Sequence, residues 1–201
     1  MKKCRVGQVG RVGQQRLRPH RAEDKRIRGE VSASVRAGGG APARVKKSRQ
    51  DARSSLSGLE FFREVAAGAF DPPPMVALLG LRMVEVDFGR VAFVGTPTEA
   101  FYNGAGVVHG GYAATLLDSA LGCAINTTTP PAKWFTTLEL KINYIRPLTV
   151  RVGQVRCEAT VLHAGNRVAT AEARVVDAGG KIYAHATTTC ISVERPPQGQ
   201  R

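Results

Sequence analysis

Apolar and polar positions change period several times along this chain, and each change marks an element. Ser57-Gly58-Leu59-Glu60 leads into Phe61, Phe62, Val65 and Ala66, a short amphipathic helix that closes at Gly68. Asp71-Pro72-Pro73-Pro74 stops any helix, and Met75 to Gly80 allows one further turn packed by Leu78 and Leu79. The period then falls to two. Leu81, Met83, Glu85 and Asp87 alternate with Arg82, Val84, Val86 and Phe88, Gly89-Arg90 turns, and Val91 to Val94 returns as the second arm of a hairpin. A Gly-rich loop, 101–106, precedes Val107-Val108-His109. After a polar, Pro-containing break from Asn126 to Ala132, long alternating runs predict strands near 133–146, 150–163, 167–177 and 181–194.

Between loop and strands lies the most informative run. Ala113, Leu116, Leu117, Ala120, Leu121 and Ala124 repeat at helical spacing, which predicts an apolar stripe. A second stripe of Gly111, Thr115, Asp118 and Gly122 is small or polar. With almost no long polar side chains, this helix should be largely buried, one side on a sheet and the other closely approached. One helix among five or six long strands joined by short turns predicts an α+β domain: a curved antiparallel sheet wrapped around a central helix.

Composition changes this picture only at the ends. Residues 1–55 hold 16 Lys and Arg against 4 Asp and Glu, a net of +12, whereas the remainder holds 13 against 12, a net of +1. The basic character therefore belongs to a segment without aromatic residues, which predicts a disordered tail over 1–55, a folded domain over 56–195 and a short tail over 196–201. The tail is open to three readings: a weak, salt-sensitive arm for nucleic acid or membrane surfaces, a targeting segment, or an inert extension from an upstream start site. No apolar core follows Lys2 and Lys3, which argues against a secretory signal, and the near-neutral domain is not expected to bind nucleic acid. The 4 cysteines have no metal-ligand spacing, so free thiols in a reducing cytoplasm are the expectation. No apolar stretch of about 18 residues is present, so no membrane span is expected.

Val107-Val108-His109-Gly110-Gly111-Tyr112-Ala113-Ala114-Thr115-Leu116-Leu117-Asp118 resembles the HGGxxAxxxD signature of hotdog-fold thioesterases of the phenylacetic-acid-degradation (PaaI-like) type, which include 4-hydroxybenzoyl-CoA thioesterases. Asn103, six residues before His109, and the Arg146-Pro147 pair fit the same pattern. The resemblance spans roughly 56–195 and implies hydrolysis of acyl-CoA with no cofactor, coenzyme A being part of the substrate. It assigns the carbonyl contact to the Gly110 amide and the Asn103 side chain, and the nucleophile or general base to Asp118. It gives a water-orienting hydroxyl to Thr136, while His109, by its place before the helix, is open to capping or to direct catalysis.

The residues support that chemistry independently. A thioester carbonyl that becomes negative is stabilised by unpaired N–H groups at a helix start, and glycine at 110 and 111 lets it approach. Gly110 and Asp118 are eight residues apart, about 12 Å along one helix, which is too far to touch one carbonyl. The site is therefore expected between two subunits of a homodimer, or of a dimer of dimers. Coenzyme A phosphates call for cations, and Arg146 with the loop pair Asn166-Arg167 are the candidates, beside Gly111 at the helix start. The competing readings are a hotdog dehydratase or hydratase and an acyl-CoA-binding sensor without turnover.

Overall fold

The computed structural model describes residues 48–193. The basic segment up to residue 47 and the tail after 193 lie outside the described residues. Three short helices come first: α1 (Arg49–Ser55), α2 (Gly58–Ala66) and α3 (Pro74–Leu78). The hairpin β1 (Arg82–Asp87) and β2 (Arg90–Gly95) follows, then the central helix α4 (Gly110–Asn126), and then β3 (Trp134–Tyr144), β4 (Val155–Ala164), β5 (Val168–Val176) and β6 (Ile182–Val193). All six strands form one antiparallel sheet in the order β1-β2-β4-β5-β6-β3. This is the α+β architecture expected of the hotdog fold.

The sheet curls over α4 because the apolar stripe along the helix has nowhere else to go. Leu116, Leu117, Ala120, Leu121, Ala124 and Ile125 are 0% exposed and meet the inward rows of β2, β4 and β5, among them Phe93, Cys157, Val155, Ala171 and Val175. Burying each large aliphatic side chain contributes roughly 1.5–3 kcal/mol, so α4 is the main apolar organiser of the domain. The small-and-polar stripe does not reach this core. Gly111 is exposed, and Thr115, Asp118 and Gly122 are half-buried outside it.

Two local devices lock the helices to the sheet. Ser57 and Glu60 form a reciprocal capping box at the start of α2. Gly58 packs so closely on the end of α4 that a Cβ there would lie 1.6 Å from the Asn126 carbonyl oxygen. At that same end, the Asn126 side chain accepts from the Phe135 amide at 2.8 Å and donates to the Phe135 carbonyl at 3.0 Å, which fastens α4 to the start of β3.

β3 ends the sheet. Its outer edge carries no partner among the described residues, and most of its side chains are exposed, Leu138 at 66% and Tyr144 at 56%. Its register with β6 slips between Thr137 and Glu139, a β-bulge at Leu138.

Several expectations need correction. Order does not begin at Leu56: α1 lies within the expected tail, with Ala52 fully buried and the Arg53 guanidinium 3.3 Å from the Trp134 ring centroid. Cation–π packing gives this basic segment a foothold that a reading of charge alone misses. The strand expected from 150 starts at Val155, because Val150–Val152 form a 3-10 turn closed by Gly153 at φ +71°. Leu78, expected to pack, is 76% exposed.

Candidate active site

The loop before α4 is built to present its first turn. Asn103 and Val107 close a tight turn, with the Asn103 amide donating to the Val107 carbonyl at 2.8 Å and the Asn103 Oδ1 accepting from Ala105 at 2.9 Å. His109 donates its amide to the Phe101 carbonyl at 2.8 Å and Val108 donates to Leu148 at 2.9 Å, so the helix start is pinned from two sides. Asn103 therefore spends its side-chain oxygen on its own loop. Its Nδ2 group makes no hydrogen bond among the described residues and remains a donor.

The first-turn amides of the two glycines differ in their partners. His109 is the N-cap, and its Nδ1 accepts from the Gly111 amide at 2.9 Å. Tyr112 donates to the His109 carbonyl at 3.0 Å. Only the Gly110 amide has no acceptor among the described residues, and the positive end of the α4 dipole is focused there. Gly111, expected to contact substrate, has its amide occupied by His109 and offers only its small size. His109 is capping the helix in this arrangement. Because Nδ1 accepts, a neutral His109 ring carries its proton on Nε2.

Two turns along, half-buried Asp118 accepts a 2.8 Å hydrogen bond through Oδ1 from the hydroxyl of Thr137. The expected hydroxyl was that of Thr136, which makes no bond to Asp118 and projects from the opposite face of β3. Strand alternation counted from buried Phe135 identifies 137 as the inward position, a signal present in the sequence. Thiols do not compete with the carboxylate: burial pushes the nearby Cys123 thiol up to about 12, and burial also raises Cys190. Neither is a thiolate near neutral pH.

A cavity of about 270 Å³ opens at the helix start, walled by His109, Gly110, Ala113, Tyr144, Arg146 and Tyr183. The Tyr144 hydroxyl donates to the Gly110 carbonyl at 3.1 Å, and its ring lies 3.1–3.2 Å from where a Gly110 Cβ would stand. Only glycine fits there without displacing that ring. Tyr144 had no place among the expected site residues. Arg146 lines the same cavity and donates to the Ile182 carbonyl. The exposed pair Asn166 and Arg167 sits elsewhere: the Asn166 Oδ1 accepts from Lys133 at 2.8 Å and the Arg167 carbonyl from Ser192, beside the start of β3. One chain thus brings together His109, Gly110, Tyr144 and Arg146, pairs Asp118 with Thr137 farther along α4, and leaves Asn166 and Arg167 remote from Arg146. No cluster of potential metal ligands occurs among the described residues. No helix among them is long and apolar enough to cross a membrane.

Comparison with known proteins agrees with this geometry. Residues 105–184 match the family model of the thioesterase superfamily, a span that holds the helix start, Asp118 and Thr137. A protein of Halobacterium salinarum named by inference as an esterase is 36% identical over 90 residues, and the match spans 44% of this chain and 58% of that relative's length. A conserved protein of Pseudomonas aeruginosa superposes with a TM-score of 0.57 at 34% identity, covering 61% of this chain and 95% of that one. A mutant of the phenylacetic acid degradation protein PaaI of Thermus thermophilus superposes with a TM-score of 0.54 at 30% identity, covering 59% of this chain and 98% of that one. A curled six-stranded sheet around one helix, a histidine-capped glycine pair at its start and a matching family model together establish that the chain belongs to the thioesterase superfamily, as a PaaI-like hotdog protein.

Proposed function

We propose that this protein hydrolyses acyl-CoA thioesters at a site shared by two copies of the chain. The observation that carries this reading is the pair of complementary groups on one helix: a free amide at Gly110, and a carboxylate at Asp118 steadied by Thr137. The thioester oxygen would accept from the Gly110 amide and from Asn103 Nδ2. Asp118 would take a proton from water as its oxygen attacks the carbonyl carbon, or attack the carbon itself. In the water route, collapse of the tetrahedral oxyanion breaks the C–S bond and the departing thiolate of coenzyme A takes up the proton held by Asp118. In the direct route the same collapse releases the thiolate and leaves a mixed anhydride on Asp118, which a water then hydrolyses to the free acid and the original carboxylate, its proton passing to the thiolate.

About 12 Å of helix separates the two groups, so a second copy must supply one of them. The free edge of β3 offers a geometry. Tyr144 touches Gly110, and Thr137 touches Asp118. Two β3 strands paired antiparallel about a two-fold axis, with Tyr144 opposite Thr137, would set the helix start of each copy against Asp118 of the other. The same pairing accounts for the scattered cations. Arg146 and Arg167 lie near opposite ends of the 11-residue β3, roughly 30 Å apart in one chain. Across the axis Arg146 would come near Asn166 and Arg167 of the second copy, a clamp for the phosphates of coenzyme A.

The test is a thiol-release assay over a panel of acyl-CoAs, with Asp118→Asn beside the parent. Asparagine keeps the shape and removes the base, so turnover should fall at least about a hundredfold. Equal turnover in the two proteins overturns the mechanism.

A further inference from the structure

A hydrogen-bonded relay runs from an exposed phenol to the histidine at the head of α4. The Tyr144 hydroxyl donates to the Gly110 carbonyl at 3.1 Å; the same peptide unit carries the Gly111 amide, which donates to His109 Nδ1 at 2.9 Å. A donor on the carbonyl of an amide polarises the unit and strengthens its N–H, so the two bonds reinforce each other. The tyrosine, the peptide and the imidazole therefore form one chain of three links whose last member faces the cavity.

We propose that Tyr144 is a positioning residue for this site. Its hydroxyl holds the 110–111 peptide, whose Gly111 amide fixes the His109 ring in the tautomer with its proton on Nε2, and thereby turns that N–H and the Gly110 amide into the cavity as donors for a developing oxyanion. This rests on the reading of Gly110 as the thioester contact. The tyrosine ring adds a steric half to the role. It stands 3.1–3.2 Å from where a Cβ on Gly110 would lie and walls the cavity at the helix start.

Tyr144→Phe separates the two halves, since it keeps the ring and removes the donor. Because the phenol is 56% exposed, the fold should tolerate the change and the melting temperature should hold. The variant should lose roughly three- to tenfold in kcat, the worth of one hydrogen bond, with KM for acyl-CoA little changed. Two-bond proton–nitrogen spectra of His109 supply a readout that does not need activity. The parent should show an acceptor-type Nδ1 and a protonated Nε2, and the variant a mixture of tautomers. An unchanged kcat, or a His109 tautomer that stays fixed in the variant, overturns the relay. Absence of thiol release from the parent counts against the thioesterase reading alone, and the nitrogen spectra still decide on Tyr144.

Discussion

Proline at position 110 would remove the free amide hydrogen from the proposed chemistry and press a Cβ against the Tyr144 ring. The position is the first of α4, where a helix needs no donor, and His109 before it has the extended backbone (φ −57°, ψ 136°) that proline demands of its predecessor. The exposed Tyr144 ring can yield the few tenths of an ångström that a Cβ requires. Gly110→Pro should therefore fold, with a Tm close to the parent's in calorimetry, and lose at least about a hundredfold in thiol release, as the removal of one oxyanion donor does. Retained activity would transfer the oxyanion contact to another group. The hydroxyls give a second contrast. Thr137→Val should lower kcat about tenfold by freeing the Asp118 carboxylate, whereas Thr136→Val should leave it within about twofold in the same assay. At this scale the sequence was informative where chemistry is local. Gly110 and Asp118 stood out by residue type and spacing, but the choice between Thr136 and Thr137 depends on which face of β3 meets α4. The role of Tyr144 depends on a contact 34 residues distant in the chain.

Among the elements, α4 was legible because its stripe is long and periodic; every residue assigned to its apolar face is buried. The start of β4 was less so, since Val150 to Val152 alternate as a strand would and only the positive φ of Gly153 shows the turn. The close approach of α2 to α4 was not legible either, because a glycine before a leucine carries no mark of what will press on it. Gly58 donates its amide to the Thr129 carbonyl at 3.0 Å, and any Cβ would strike the Asn126 carbonyl. Gly58→Ala should cost about 3 kcal/mol in urea unfolding through overpacking, and should loosen the Asn126–Phe135 clamp that sets β3 against α4. A variant as stable as the parent would mean that α2 can slide away from α4 at no cost. Tyr112→Phe should behave in the opposite way. Its hydroxyl is buried with no protein partner among the described residues, so its loss should leave stability unchanged or raise it.

For the whole molecule the decisive quantity is the number of intact sites in a mixed population. Asp118→Asn and Gly110→Pro each disable every site in their own dimers. If the site joins two copies, a mixed dimer keeps one of its two sites. Random reassortment of equal amounts should then restore about a quarter of parental turnover, a recovery that two independent monomers could never show. Failure to recover, with subunit exchange verified by mass, would place the whole site in one chain. The bulge at Leu138 is what allows β3 to serve both ends of that site. Thr137 and Tyr144 are seven positions apart, an odd interval, so on an uninterrupted strand they would point to opposite sides. The extra residue between them resets the count: Phe135 and Thr137 turn inward before it, Leu140, Ile142 and Tyr144 after it. Were the strand to pleat regularly through Leu138 instead, Lys141 and Asn143 would turn toward the core in place of Leu140 and Ile142, and the protein would keep only one of its two grips on α4.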